Sequence, residues 1–161
     1  MNRYIGVKEI HATPMNRADY NELRGWELPA DENGEDEGYM VEYLDGGKAN
    51  HPDFQGYISW SPADVFERAY KPVEGMTFGF ALECLKKGFK LARKGWNGQG
   101  MFIYWVSAGA YPPKMPVAQE YFDGKAVPYR DYIAMKTVND EVVPWVASQS
   151  DMLCNDWRIC E

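Results

Sequence analysis

Met76-Thr77-Phe78-Gly79-Phe80-Ala81-Leu82-Glu83-Cys84-Leu85-Lys86-Lys87-Gly88-Phe89-Lys90-Leu91-Ala92-Arg93-Lys94 carries two periodicities in one short run. Phe78, Ala81, Leu82 and Leu85 recur at helical spacing. Thr77 stands where a side-chain oxygen can cap the first turn, and Gly88 where a helix ends. From Phe89 the pattern alternates, Phe89 and Leu91 against Lys90 and Ala92, which predicts a strand. A capped helix running directly into a strand points to an α+β unit.

Downstream, Trp96-Asn97-Gly98-Gln99-Gly100 predicts a tight turn, with Asn97-Gly98 its strongest signal. Residues 101–106 predict an aromatic-rich strand, followed by a long loop carrying Tyr111-Pro112-Pro113 and Met115-Pro116. Strands are expected at residues 132–137 and 142–146, turned by Asn139-Asp140. Ser148 and Asp151 can cap a short helix, and Trp157-Arg158-Ile159 reads as a last strand. Residues 75–161 are thus expected to form a small antiparallel sheet with a packed N-terminal helix.

Upstream, Lys71-Pro72-Val73-Glu74-Gly75 interrupts the helical pattern, so residues 1–72 are expected to form a separate small α+β module. It predicts a strand at residues 4–12, a helix capped by Asn16 and Asp19 and closed by Gly25, and strands at residues 38–44 and 56–60. Ser61-Pro62-Ala63-Asp64 predicts a further helix, with serine as its cap and proline at its first position. Arg24-Gly25-Trp26 echoes Lys94-Gly95-Trp96, but unequal gaps favour shared capping chemistry over a repeat.

The chain has 161 residues, 45% hydrophobic and 25% charged, which suits one ordinary domain or two small ones. No apolar run approaches the ~18 residues of a membrane span, and the first residues lack the apolar stretch of a secretory signal. Three cysteines without metal-ligand spacing predict reduced thiols and a cytoplasmic protein. Residues 1–74 hold 7 Lys/Arg and 15 Asp/Glu, net −8, and residues 75–161 hold 10 and 9, net +1, together the −7 of the whole chain. That balance argues against long nucleic acid as a partner. It leaves room for one small anion, in the second segment, with the acidic first segment expected to lie away from it.

No Walker-type phosphate loop, Gly-x-Gly-x-x-Gly or Gly-x-Ser-x-Gly elbow is present. His11 and His51 have no metal partner nearby in sequence. The run from Asp31 to Glu42 has Asp36 where a calcium loop needs glycine, so it reads as a solvated acidic loop. No catalytic residue, metal or cofactor is singled out. Two places could bind. Trp96, beside Arg93-Lys94 and Asn97-Gly98, is suited to stacking a base and pairing its phosphates; taken alone, it reads first as an indole plugging the sheet. Ser148-Gln149-Ser150-Asp151 offers polar groups and helix-start N–H groups to an anion, or simply caps its own helix.

The segments 76–83, 92–98, 132–137 and 143–153, followed by Asp156-Trp157, come in an order that resembles the phage Thoeris anti-defence family of the second type, over residues 75–161. The resemblance implies a binding protein that is not an enzyme. It would sequester the cyclic ADP-ribose signal (glycocyclic ADP-ribose) made by bacterial Toll/interleukin-receptor-domain enzymes, with cyclic dinucleotides held by some members. It implies homotetramers in the host bacterial cytoplasm, with ligand sites where subunits meet. Trp96 and Trp145 would flank the adenine, with Ser148 to Asp151 at the ligand. The expected binding set is Arg93, Trp96, Asn97, Gly98, Trp145, Ala147, Ser148, Gln149 and Asp151. The competing readings are a nucleotide-modifying enzyme and a phage interaction or structural protein.

Overall fold

The computed structural model describes residues 1–161 and divides into two compact units, Met1–Lys71 and Pro72–Glu161. The first unit contains β1 (Ile10–Pro14), α1 (Arg17–Arg24), β2 (Gly38–Tyr43), β3 (Tyr57–Pro62) and α2 (Ala63–Ala69). Its three strands form an antiparallel sheet in the order β1-β2-β3. Expected from residue 4, the first strand begins at Ile10, because Ile10 pairs with Tyr43 and β2 offers no partner beyond it. Asn16 caps α1 by accepting the Asp19 N–H at 2.8 Å, and Gly25 closes it at φ 65°, where a side chain would be strained.

Ser61 does not cap α2. It pairs with Tyr39 in the ladder, the strand continues through Pro62, and the helix start has no side-chain cap. The Ala63 N–H instead finds the Glu37 carbonyl at 3.0 Å. Tyr20, Met40 and Ile58 form the buried core beside Trp60, and Tyr39 stacks on Phe66 of α2 with centroids 4.0 Å apart.

The second unit contains α3 (Phe78–Lys86), β4 (Lys90–Arg93), β5 (Phe102–Val106), β6 (Gly109–Tyr111), α4 (Pro116–Tyr121), β7 (Val127–Tyr129), β8 (Tyr132–Lys136), β9 (Val142–Pro144), α5 (Gln149–Leu153) and β10 (Trp157–Cys160). Five strands form one antiparallel sheet, ordered β10-β4-β5-β8-β9. This is the α+β class the periodicities predict. Thr77 caps α3 through the Phe80 N–H, and α3 lays Ala81 and Leu85 on Leu91, Ile103, Met135 and Trp157, all buried. Met76 joins that core and exchanges both backbone hydrogen bonds with Trp157.

Two expectations change in this unit. Residues 107–131 are not one loop: β6 and β7 pair in a two-stranded sheet, with α4 between them. Strands of three residues are too short to display alternation, although Pro116 at the first turn is a helix-start signal. Nor do Asn97 and Gly98 form a two-residue hairpin. The β4–β5 connection spans residues 94–101, and Gly100, not Gly98, takes the left-handed conformation, at φ 70°. Gly25 is left-handed whereas Gly95 is not, so the Gly-Trp echo is not structural.

Gly38 tests the packing of the first unit. A Cβ there would overlap the Trp60 indole and lie 2.5 Å from the Ser61 carbonyl oxygen, which the ladder holds in place. Gly38→Ala should therefore destabilise this unit by about 1–3 kcal/mol, measured as a lower urea midpoint for its amide resonances, with the second unit's resonances unchanged.

Candidate functional site

Arg93 ends β4 between two carboxylates. Its Nε donates to Asp156 Oδ1 at 2.8 Å and its Nη1 to Asp151 Oδ1 at 2.8 Å, with Nη2 to Asp156 Oδ2 at 3.4 Å. Asp156 comes from the loop before β10, and its Oδ2 also accepts the Gly95 N–H at 2.9 Å. Asp151 sits in the first turn of α5. Its Oδ1 also accepts the Trp96 indole N–H at 3.2 Å, while its Oδ2 accepts the Ser148 N–H at 3.0 Å and hydroxyl at 2.6 Å. Ser148 Oγ accepts the Asp151 N–H in return, completing a capping box.

The same network sets three indoles. Trp157, fully buried, donates its Nε1–H to the Asp151 carbonyl at 2.9 Å. Trp96 meets Trp157 edge-on, with centroids 5.4 Å apart, and Trp145 at 6.3 Å; Trp145 meets Trp157 at 6.0 Å. Trp96 and Trp145 are half-buried. Edge-to-face packing of this kind adds roughly 0.5–1.5 kcal/mol per pair and fixes ring orientation.

The charges are held firmly. Burial works against ionisation of Asp151, but hydrogen bonds from Ser148, Arg93 and Trp96 prevail and keep its pKa at about 2. The Arg93 bond is the chief reason that Asp156 also lies at about 2, and the two carboxylates raise the Arg93 pKa above its ordinary value. Acids this strong are poor general bases near neutral pH. The cysteines are free, and burial pushes the Cys154 and Cys160 thiols up. No group of three or more His, Cys, Asp or Glu side chains is arranged to hold a metal ion. No helix is long and apolar enough to cross a membrane.

Of the residues expected at a site, Arg93, Trp96, Ser148 and Asp151 share this network, and Trp145 joins it through its ring. Asn97 is exposed on the loop after Trp96, whereas Gly98 lies against Met101. Ala147 is half-buried, and Gln149 is exposed at the start of α5. The motif reading gave Asp156 no role, since only its pairing across 63 residues reveals one. It also gave none to Lys90, Phe102 and Arg158. With Arg93, Lys94, Trp96 and Gly98 these line an open cleft of about 780 Å³ on the outer side of β10 and β4. In the first unit, by contrast, a cavity of about 500 Å³ is lined by Asp19, Glu35, Glu37 and Glu67.

A depressed carboxyl pKa contributes stability that is complete above the unfolded value of about 4 and is lost as pH falls through about 2. The urea midpoint of the second unit, followed by the Trp157 indole proton, should therefore drop between pH 4 and pH 2. Asp156→Asn should lower that midpoint at pH 7 and flatten the decline.

Comparison with known proteins bears on the second unit. The family model Tad2-like, the Thoeris anti-defense 2-like domain, matches residues 76–160. Thoeris anti-defense 2 of Bacillus phage SP01 is 37% identical over 84 residues, covering 52% of this chain and 93% of that protein. The matched span falls within residues 75–161, the stretch that carries the resemblance. The chain belongs to the Tad2-like family and, with it, to the anti-defence proteins of phages.

Proposed function

We propose that this protein binds a cyclic nucleotide immune signal, glycocyclic ADP-ribose or a cyclic dinucleotide, and sequesters it without cleavage. The observation that carries this reading is the pair of partly buried indoles, Trp96 and Trp145, in edge-on contact beside the capped start of α5, with Trp96 also lining the cleft that Lys90, Lys94 and Arg158 share. A sponge needs nanomolar affinity, about −12 kcal/mol. Base stacking supplies ~1–3 kcal/mol per aromatic contact, and hydrogen bonds to charged groups roughly 1.5–3 each.

In this reading Trp96 and Trp145 stack on the base. Ser148, Gln149, Asn97 and the backbone at Gly98 and Ala147 meet its sugar and edges. Arg93 and Asp151 hold the indoles in place. A ligand of this size exceeds what one small open face can enclose, which favours a site completed by further copies in a homotetramer. Such a protein would act in the host bacterial cytoplasm. A nucleotide-modifying enzyme is the competing reading, but carboxylates saturated with donors at a pKa of about 2 give it little support.

Trp96→Phe and Trp145→Phe should each weaken binding of cyclic ADP-ribose measurably, and the alanine variants by about 1–3 kcal/mol, in calorimetry on chains shown by circular dichroism to be folded. Heat denaturation of the loaded wild-type protein should release the nucleotide with its mass unchanged; a shifted mass would identify an enzyme. Light scattering should give four times the chain mass, and a monomer that binds tightly would remove the shared site.

A further inference from the structure

The cation beside Trp96 is committed to two carboxylates. Arg93 carries one positive charge between two ionised carboxylates, so the trio with Asp151 and Asp156 is net negative by one. A phosphate approaching it meets repulsion. The side chains of Asp151 and Asp156 also take up much of the donor capacity of the guanidinium.

Other cations stand next to that trio. Strand alternation puts Lys90 and Ala92 on the sheet face opposite Leu91, and the β10–β4 register sets Arg158 across from Ala92. Ile103 pairs with the buried Leu91, so its neighbour Phe102 belongs to the outer face as well, and Lys90 Nζ lies 5.5 Å from the Phe102 ring centroid. Lys94 follows β4 directly; its one ion pair, to Glu74 at 3.5 Å, is more than half exposed on both sides and so weak. Arg158 is exposed. Lys90, Lys94 and Arg158 thus converge on the cleft of about 780 Å³ that Trp96 and Glu161 also line. Lys90 Nζ donates to the Glu161 main-chain oxygen at 2.8 Å, which leaves Lys94 and Arg158, of the three, without a partner inside the cleft.

We propose that Lys94 and Arg158 bind the phosphates of the nucleotide held at Trp96, while Arg93 is a positioning residue that fixes the Trp96 loop and makes no phosphate contact. This rests on the reading of the protein as a nucleotide sponge and names the part of that site that selects an anion. The recognised chemistry is a pyrophosphate or paired phosphodiester joined to an aromatic base. The indole would take the base, and the two cations, one just after β4 and one on the adjoining β10, would take the charge.

Two probes separate this inference from the reading beneath it. Inorganic pyrophosphate is titrated into the full chain and followed by phosphorus NMR, and cyclic ADP-ribose by calorimetry, each at low and high salt. Lys94→Ala and Arg158→Ala should each weaken both probes about tenfold at low salt and flatten the salt dependence. Arg158→Lys should recover part of the pyrophosphate affinity, and Lys125→Ala, in the β6–β7 excursion, should change nothing. Pyrophosphate binding that is absent from the wild type, or as tight in Lys94→Ala and Arg158→Ala as in the wild type, overturns the inference whatever cyclic ADP-ribose does. Pyrophosphate binding that depends on both residues, with no binding of cyclic ADP-ribose, upholds the anion site and removes the sponge reading instead. Arg93→Lys supplies the remaining contrast. It should lower the urea midpoint and alter Trp96 fluorescence in the free protein, while pyrophosphate affinity per folded molecule stays within about twofold. A loss of pyrophosphate affinity in Arg93→Lys equal to that in Arg158→Ala would overturn the positioning role.

Discussion

The second unit depends on one guanidinium. Arg93 links the end of β4 to the first turn of α5 and to the loop before β10, and the acceptors it uses also hold Gly95, Trp96 and Ser148. Ion pairs of this sort seldom add much net stability, because desolvation offsets attraction. Their effect here is geometric. Once Asp151 and Asp156 are fixed to Arg93, the Trp96 indole has one orientation, and the edge-on packing against Trp145 and Trp157 follows from it. Removing either partner would leave a charge without its counter-ion and three rings without a reference direction.

Elements with long periodicity or a capping motif were legible from residues alone. The α3–β4 run, the Asn16 and Thr77 caps and the Ser148–Asp151 capping box appear where side-chain chemistry places them. What escaped was decided by pairing between distant segments. Ser61 reads as a cap, yet the ladder opposite Tyr39 claims it. Residues 4–9 have strand-like composition but no strand across from them. Asn97-Gly98 is a strong turn signal, overridden because Asp156 holds Gly95 and the core takes Trp96, which lengthens the connection.

The candidate site divides in the same way. Trp96, Trp145 and Ser148 stand out as aromatic and polar residues beside turns and caps. Asp156 and Arg158 are ordinary surface letters until β10 is known to lie beside β4. The two units also sort their charge differently. Carboxylates gather around the first unit's cavity and cations around the second unit's cleft, a contrast that the net charges of −8 for residues 1–74 and +1 for residues 75–161 anticipate in sign but not in position.

The strand order β10-β4-β5-β8-β9 has a consequence for biosynthesis. The strand beside β4 is β10, and the Arg93–Asp156 pair spans 63 residues. While β4, β5, β8 and β9 are leaving the ribosome, β4 has an open edge and Arg93 has neither carboxylate. Trp157, fully buried in the finished core, arrives after almost everything it packs against. The nascent unit therefore waits with an unsealed sheet for several seconds at ordinary elongation rates. Folding can be completed only when β10 emerges, so the candidate site around Arg93 and the closed core form in the same late step.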